Sequence, residues 1–246
     1  MKRIKFLSGN MLKVIAAITM TIDHIGLIFF PSNNLLRMIG RISFPIFAFM
    51  IAEGCKYTKN RFRYFSVITL FGIVFQAVFY YVTMMEYYNI FLLFSLSIIM
   101  IYALQGFQKK IYDNKYSILS CFFSLLIFVG TVLMTYWLNQ NYAIDYGFYG
   151  CLAPVFASLF VVRSKEVPKV ISILDCNFIH VLMLGIGLYL EYINFGWLQI
   201  YSLLALPLLL LYSGKRGKNN MKYFFYLFYP IHLVVLYGLY FILSMF

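Results

Sequence analysis

The stretch MLKVIAAITMTIDHIGLIFF, residues 11–30, decides the fold class of this chain. It has the length, about 20 residues, that a helix needs to cross the hydrocarbon of a bilayer. Asp23 and His24 interrupt it, and Arg41 stands at the head of the next apolar stretch, Ile42–Ala52. Because ionisable side chains are costly in hydrocarbon, those that occur there usually face the interior of a helix bundle and mark a functional site. The stretch therefore predicts a membrane helix and also indicates where the site lies.

The composition extends this prediction to the whole chain. Of its 246 residues, 63% are hydrophobic and 11% are charged, whereas a soluble domain has about 25% charged residues. Only helices and closed barrels satisfy their backbone in hydrocarbon, and barrel strands alternate apolar with polar residues, unlike these continuous apolar stretches. We therefore predict an all-α, polytopic transmembrane bundle that forms a single domain over residues 1–246. The four cysteines are scattered singly, without a CxxC pair, so no metal site is predicted.

Nine apolar spans are drawn along the chain, with eight and ten as alternatives. They cover approximately residues 10–30, 39–55, 64–84, 90–107, 117–139, 145–163, 177–192, 196–212 and 223–245. Basic residues cluster in every second connection, which under the positive-inside rule places the N-terminus in the cytoplasm. We therefore expect a multi-pass protein of a bacterial cytoplasmic membrane. The net charge of +12 is dispersed over short loops, which argues against a nucleic-acid partner.

Asp23 and His24 are the first candidates for chemistry, with Arg41 in support. A histidine beside a carboxylate is the arrangement of a general base that is held in one tautomer. Arg41 follows after a short connection and is a candidate partner of Asp23 or of an oxyanion. The alternatives are a polar pair that only holds helices together and an arginine that reaches the membrane interface.

Two further carboxylates lie at the ends of predicted spans. Glu53 closes the second span, where a carboxylate that reaches interfacial water is the alternative to a substrate contact. Asp145 opens the sixth span on the outer side, where the N-cap of a helix is the alternative. Both are therefore candidates for substrate binding rather than for catalysis.

The last span and the loop before it add three more candidates. His232 lies within the span, where a lone histidine is more often a polar contact between helices than a catalyst. Lys215 and Arg216 lie between two glycines, and backbone amides beside glycine together with cationic side chains suit phosphate. A basic cytoplasmic loop explains these two residues as well.

Five segments stand out in order along the chain. They are LSGNMLKVIAAITMTIDHIG at 7–26, LLRMIGRISFPIFAFMIAEG at 35–54, DYGFYG at 145–150, LPLLLLYSGKRGK at 206–218 and KYFFYLFYPIHL at 222–233. Together they resemble the TraX family of membrane proteins, which is named for the enzyme that N-acetylates conjugative F pilin. The family usually has Asn where Ser213 stands. The first, second and last segments are the specific ones.

The resemblance implies an activity and a site. TraX proteins look like distant relatives of the multi-span acyltransferases that decorate surface polysaccharides, in which a histidine late in the first span is essential and acetyl-CoA is the donor. It therefore implies a membrane acetyltransferase with His24 as the catalytic residue and acetyl-CoA as donor. The Tyr-x-x-His pattern of the last span is matched by Tyr229 and His232, which favours both as site residues. Asp23 and Arg41 remain supporting residues.

On this hypothesis, His24 acts as a general base oriented by Asp23, or carries the acetyl group itself. The phosphates of acetyl-CoA are expected near Lys56, Arg61, Lys215 or Arg216. The acceptor is an amine or hydroxyl of a pilin-like protein, a peptide or a glycan. The alternative function is a transporter or proton-coupled carrier, which also uses intramembrane charges, and a non-catalytic assembly protein is the third.

The depth of the two histidines raises a geometric question. His24 lies roughly 21 Å into its span at 1.5 Å per residue, whereas His232 lies nearer the cytoplasmic end of the last span. We therefore expect the two to meet only if their helices tilt or are offset.

Overall fold

The computed structural model describes residues 5–84, 86–113, 115–164, 166–218 and 221–245, most of them in helices. The α-helices are α1 Gly9–Phe29, α2 Asn34–Gly40, α3 Ser43–Tyr57, α4 Arg61–Thr83, α5 Ile90–Tyr112, α6 Ile118–Asn141, α7 Gly147–Ala157, α8 Lys169–Leu174, α9 Asn177–Phe195, α10 Ala205–Leu210 and α11 Lys222–Leu243. A 3₁₀ helix, Trp197–Leu204, leads directly into α10. Two short strands, β1 Tyr87–Tyr88 and β2 Ala143–Ile144, pair in parallel. The predicted all-α class is confirmed.

Among the described residues, seven helices are long and apolar enough to cross a membrane. They are Gly9–Phe29, Asn34–Tyr57, Arg61–Tyr81, Ile90–Tyr112, Ile118–Asn141, Asn177–Phe195 and Phe224–Leu243. The predicted total of nine spans is not confirmed, because the remaining two contain only the shorter apolar helices Gly147–Ala157 and Trp197–Leu210. At 1.5 Å per residue, a helix as short as α7 covers about half of a hydrocarbon core that is about 30 Å thick.

Several helices begin at a side chain that caps their first turn. The side-chain oxygen of a Ser or Asn residue accepts a hydrogen bond from a backbone amide of the first turn. That amide would otherwise lack a partner in the helix. These caps are Ser8 for α1, Asn33 for α2, Asn60 for α4, Asn89 for α5 and Ser117 for α6. These five helix starts are therefore encoded locally, in single polar residues that precede apolar stretches.

The chain divides into two compact units. The first unit comprises Met1–Met50 with Tyr192–Phe246, and the second comprises Ile51–Glu191. In the second unit, α5 packs against α4, α6 and α7. Its core side chains Leu93, Ile98 and Ile101 are fully buried.

In the first unit, α1 packs against both α2 and α11. Glycines permit the close approach of α1 and α2. A Cβ atom on Gly40 would lie 2.2 Å from the Cβ of Asp23, and one on Gly26 would lie 2.7 Å from the Cβ of Leu36. Because real Cβ atoms do not come this close, both positions need a residue without a side chain. The two helices are thereby close enough for Asp23 to reach the residues that follow α2.

Candidate active site

Asp23 lies in a buried ion-pair cluster between α1 and the α2–α3 junction. Its carboxylate accepts hydrogen bonds from Nη2 of Arg41 at 2.7 and 2.6 Å and from Nε of Arg37 at 3.1 Å. Asp23 and Arg41 are only 6% and 7% exposed, so each charge depends on the other for compensation. The predicted pairing of Arg41 with Asp23 is confirmed.

His24 has a different partner from its neighbour in sequence. Its Nδ1 lies 3.0 Å from Nε2 of His232, and the two ring centroids are 4.9 Å apart. His232 is buried and His24 is half-buried. Successive residues of a helix point about 100° apart, so Asp23 turns toward α2 while His24 turns toward α11. In the described part of the chain, the side chain at hydrogen-bond distance from His24 is therefore His232, whereas Asp23, the predicted partner, contacts Arg41 and Arg37.

The two histidines meet because α1 and α11 run in the same direction with an offset. Nζ of Lys13 lies 5.7 Å from the centre of the Phe225 ring, and the rings of Phe29 and Tyr240 are 6.0 Å apart further along. Each residue of α1 thus faces a residue about 210 positions later, so α11 begins beside the second turn of α1. The predicted condition, an offset between the helices, is met.

Aromatic rings hold the imidazole of His232 in place. The ring of Phe228 stacks on it, with centroids 5.1 Å apart and planes 9° from parallel. Tyr229 meets it edge-on at 5.7 Å. The Nδ1 atom of His232 also lies 2.9 Å from the backbone carbonyl oxygen of Phe228. Residues of α11 itself therefore fix the position of the His232 ring.

An apolar groove of about 540 Å³ runs between α1 and the start of α11. It is lined by Val14, Ala17, Ile18, Thr21, Ile22, Met221, Phe224 and Phe228. One end lies at Phe228, whose ring covers His232, and at Thr21, which precedes His24 by one turn. The groove therefore runs along α1 and ends at residues next to the two histidines, which do not line it.

The loop that carries Lys215 and Arg216 is fastened to the start of α1. The carbonyl oxygens of these two residues accept hydrogen bonds from the amides of Gly9 and Asn10, at 2.8 and 2.9 Å. Gly217 has a φ of +101°, and a Cβ atom there would lie 3.1 Å from Oγ of Ser8. The loop thus turns its carbonyls toward α1, while the side chains of Lys215 and Arg216 are exposed. They lie at the end of α1 opposite to His24.

The family model described as TraX protein matches residues 8–240. The chain belongs to the TraX family. The match includes every residue of the ion-pair cluster and both histidines of the contact.

Two relatives of this TraX chain are informative. It is 23% identical over 254 aligned positions, 93% of this chain and 94% of the relative, to "Probable fimbrial assembly protein FimC, serogroup H1" of Dichelobacter nodosus. It is 33% identical over 138 positions, 56% of this chain and 50% of the relative, to an uncharacterised protein of Rickettsia prowazekii (strain Madrid E). No solved structure matches the chain significantly.

The other predicted site residues of this TraX chain belong to the second unit. Glu53 is half-buried on α3. Asp145 accepts a hydrogen bond of 2.7 Å from the Tyr87 hydroxyl. It does not cap α7, which begins at Gly147 after Tyr146 in a left-handed conformation without a side-chain cap. The N-cap interpretation of Asp145 is therefore wrong.

Two cations that were expected near phosphate already have partners within the second unit. Nζ of Lys56 lies 2.5 Å from Oδ1 of Asp175, and Nη2 of Arg61 donates to Oε1 of Gln105 at 2.7 Å. These contacts compete with a phosphate for Lys56 and Arg61. Lys215 and Arg216 are more exposed than these two cations.

His180 was missed by the sequence analysis. It is buried, and its Nε2 lies 2.9 Å from Oδ1 of Asp175, the same oxygen that contacts Lys56. Burial raises the pKa of Asp175, but the contacts with His180 and Lys56 lower it by a larger amount, so its pKa lies below its ordinary value. The spacing of Asp175 and His180 is visible in the sequence, whereas Lys56 is 119 positions away from Asp175, so the sequence does not show that it joins them.

Proposed function

We propose that this chain is a membrane-embedded acetyltransferase that moves an acetyl group from acetyl-CoA to an amine or hydroxyl. The observation that carries the proposal is the 3.0 Å contact between His24 and His232. A histidine whose ring is held by a second group is the arrangement that general-base catalysis requires. Membership of the TraX family supports the same assignment.

In the proposed reaction, His24 moves one proton and leaves no net charge behind. It takes the proton of the acceptor as the nitrogen or oxygen attacks the thioester carbonyl. A new C–N or C–O bond forms, the C–S bond breaks, and His24 returns the proton to the sulfur of CoA. Attack by His24 itself, through an acetyl-histidine, is the alternative route. Arg41 is already bonded to Asp23, so we assign both to holding α1 in position.

The groove between α1 and α11 is the proposed path of the donor. Lys215 and Arg216 lie at one end of α1 and the histidines lie toward the other. From Asn10, whose amide binds the Arg216 carbonyl, to His24 the distance along the helix is about 21 Å. This is the scale of the arm that joins the phosphates of CoA to its sulfur. Exposed cations at the near end would then bind the phosphates, with the thioester beside His24.

Contacts at both ends of the segment 145–163 support a membrane crossing despite its short helix. The amide of Asp145 donates to the carbonyl of Tyr88, which lies beyond the C-terminal end of α4. Arg163 donates to the carbonyls of Lys56 and Thr58, which precede the N-terminal end of α4. The segment thus extends along the whole of α4, itself long enough to cross a bilayer.

The segment 196–212 extends along α1 in the same way. Its first part, the 3₁₀ helix, packs against α2, which follows α1. Its end lies beside Leu7, before α1, where the amide of Leu7 donates to the carbonyl of Leu211. Because a 3₁₀ helix rises about 2 Å per residue, it needs fewer residues than an α-helix. These two segments bring the proposed number of crossings to nine. Under the positive-inside rule, we propose that the N-terminus is cytoplasmic and that the membrane is a bacterial cytoplasmic membrane.

The acceptor is proposed from the name of one relative. That relative is described as a probable fimbrial assembly protein. We therefore propose that the acceptor is a pilin-like surface protein, with an amine at its N-terminus as the first group to test. A peptide and a glycan hydroxyl are the comparison substrates.

The test is acetyl transfer by the purified protein in lipid nanodiscs. Radiolabelled acetyl-CoA is supplied with a pilin-like protein, a peptide or a glycan, and the labelled product is measured. We expect His24→Ala to reduce transfer at least about 100-fold, the usual contribution of a general base. His180→Ala is the matched control, because it removes a buried histidine of the second unit. Full activity of His24→Ala would overturn the assignment, and ion-driven flux without any transfer would favour a carrier.

A further inference from the structure

The backbone carbonyl of Phe228 decides where the proton of His232 lies. The carbonyl oxygen is 2.9 Å from Nδ1 of His232, and a carbonyl oxygen only accepts hydrogen bonds. Nδ1 must therefore carry a proton, since two lone pairs at this distance would repel each other. The resting pair of histidines is taken as neutral, because an imidazolium is costly within an apolar bundle.

The tautomer of His24 then follows from that of His232. A neutral imidazole carries one proton, so with Nδ1 protonated the Nε2 atom of His232 is an acceptor. That Nε2 lies 3.0 Å from Nδ1 of His24, so Nδ1 of His24 is the donor. The Nε2 atom of His24 is left with its lone pair.

We propose that His232 is a positioning residue that keeps the proton of His24 on Nδ1 and its Nε2 free to act as the base. This role rests on the proposed acetyltransferase function. It makes a chain of hydrogen bonds from His24 through His232 to the Phe228 carbonyl, in which each group fixes the next. A neutral histidine without such a partner carries its proton mainly on Nε2. An Nε2 atom that already carries a proton cannot accept another one.

The neighbouring carboxylate is bound to other groups. Both oxygens of Asp23 accept hydrogen bonds from Arg41, and one of them also accepts from Arg37. His232 is fixed, in contrast, by the stacked ring of Phe228. During turnover the proton of the acceptor would move to Nε2 of His24, while its Nδ1 proton stays in the hydrogen bond to His232. The proton on Nε2 then leaves with the sulfur of CoA, and the starting tautomer is restored.

The tautomer is measured directly by nitrogen-15 NMR of protein labelled only at histidine. The chain has three histidines, so single substitutions of His24, His180 and His232 assign the signals. We expect a protonated Nδ1 and an unprotonated Nε2 for His24 in the unmodified protein, and a shift of its proton toward Nε2 in His232→Leu. A His24 that carries its proton on Nε2 in the unmodified protein would overturn the proposal.

Two variants of His232 separate positioning from packing. The side-chain oxygen of His232→Gln can accept the hydrogen bond from Nδ1 of His24, whereas His232→Leu fills the space without an acceptor. We expect kcat to fall at least about 10-fold in His232→Leu, a part of the general-base contribution, with KM for acetyl-CoA little changed. His232→Gln should restore most of kcat. Equal loss in both variants with an unchanged His24 tautomer would overturn the positioning role.

The NMR measurement does not require turnover. A protein without acetyl transfer but with the expected tautomer would refute the proposed activity and leave the hydrogen-bond chain in place. A protein that transfers acetyl groups while His24 carries its proton on Nε2 would refute the hydrogen-bond chain and leave the proposed activity in place.

Discussion

Asp23 shows how a single charge can organise a membrane site. Its carboxylate binds Arg41 and Arg37. The pair of Asp23 and Arg41 is almost completely buried. A buried pair contributes little net stability over an apolar replacement, but loss of one partner leaves an uncompensated charge. The cluster therefore serves to fix α1 against the α2–α3 junction, next to His24.

We predict that Asp23→Asn destabilises the protein by about 3–5 kcal/mol, because the buried Arg41 loses the carboxylate charge that lies 2.6 Å from it. The double variant Asp23→Leu with Arg41→Met should recover most of this loss, since it removes both charges. The free energy of unfolding is measured in mixed micelles by denaturant titration. An Asp23→Asn variant as stable as the unmodified protein would show that the pair is dispensable for folding.

The Lys56, Asp175 and His180 cluster gives a prediction about pH. The pKa of Asp175 lies below its ordinary value, so the ionised carboxylate stabilises the folded state above the ordinary aspartate pKa. This stabilisation is lost as the pH falls through the lowered pKa. We expect the unmodified protein to lose stability in acid, at and below about pH 4, more steeply than Asp175→Asn. Identical pH profiles of the two proteins in thermal unfolding would contradict the assignment.

At the level of helices, the contact of α1 with α2 depends on glycine at the crossing. Gly40 allows the Asp23 side chain to lie against the α2 backbone. The contact between the two helices includes the small residues Gly26 and Gly40 and the polar residue Asp23, as in other membrane helix pairs. Displacement of α2 would move Arg37 and Arg41 away from Asp23 together.

We predict that Gly40→Ala separates α1 from α2 and lowers both stability and acetyl transfer, because its Cβ would overlap the Asp23 side chain. Gly130→Ala on α6 is the matched control, since nothing lies within 4 Å of its Cβ position. Alanine there should be neutral or stabilising by up to about 1 kcal/mol. Thermal unfolding and transfer rates are compared for both variants. Equal behaviour of the two would show that the close approach at Gly40 is not required.

The groove between α1 and α11 gives a prediction about the donor. Ile18→Trp should narrow the groove and raise KM for acetyl-CoA several-fold, with the fold retained because Ile18 is 56% exposed. Ile73→Trp on α4 is the control. It is the same substitution at a side chain that is 55% exposed and does not line the groove. Steady-state kinetics with varied acetyl-CoA measure the difference. An unchanged KM in Ile18→Trp would remove the groove from the donor path.

At the scale of the whole molecule, the first unit is formed by residues from the first and the last part of the sequence. Leu7 to Asn10 bind the backbone of residues 211–216, and α11 then runs beside α1 with an offset. Asp23, His24, Arg41 and His232 all belong to this unit, which comprises Met1–Met50 and Tyr192–Phe246. The second unit contributes the Lys56, Asp175 and His180 cluster within its own boundaries.

The sequence by itself determined the membrane class, the helix starts and the identity of the polar residues. Continuous apolar stretches require helices in hydrocarbon, and capping residues such as Ser8 and Asn89 act on amides two or three positions away. Asp23, His24, Arg41 and His232 stood out because each is costly in an apolar stretch. These are local properties, which a sequence displays directly.

Only the tertiary structure decided which polar groups meet. His24 and His232 are 208 residues apart, and their contact depends on the offset between α1 and α11. That offset is set where the carbonyls of Lys215 and Arg216 bind the first turn of α1. Likewise, adjacency in sequence suggested that Asp23 orients His24, but the 100° turn of the helix sends the two side chains to different neighbours. Register and direction are properties of packed helices, and no local pattern contains them.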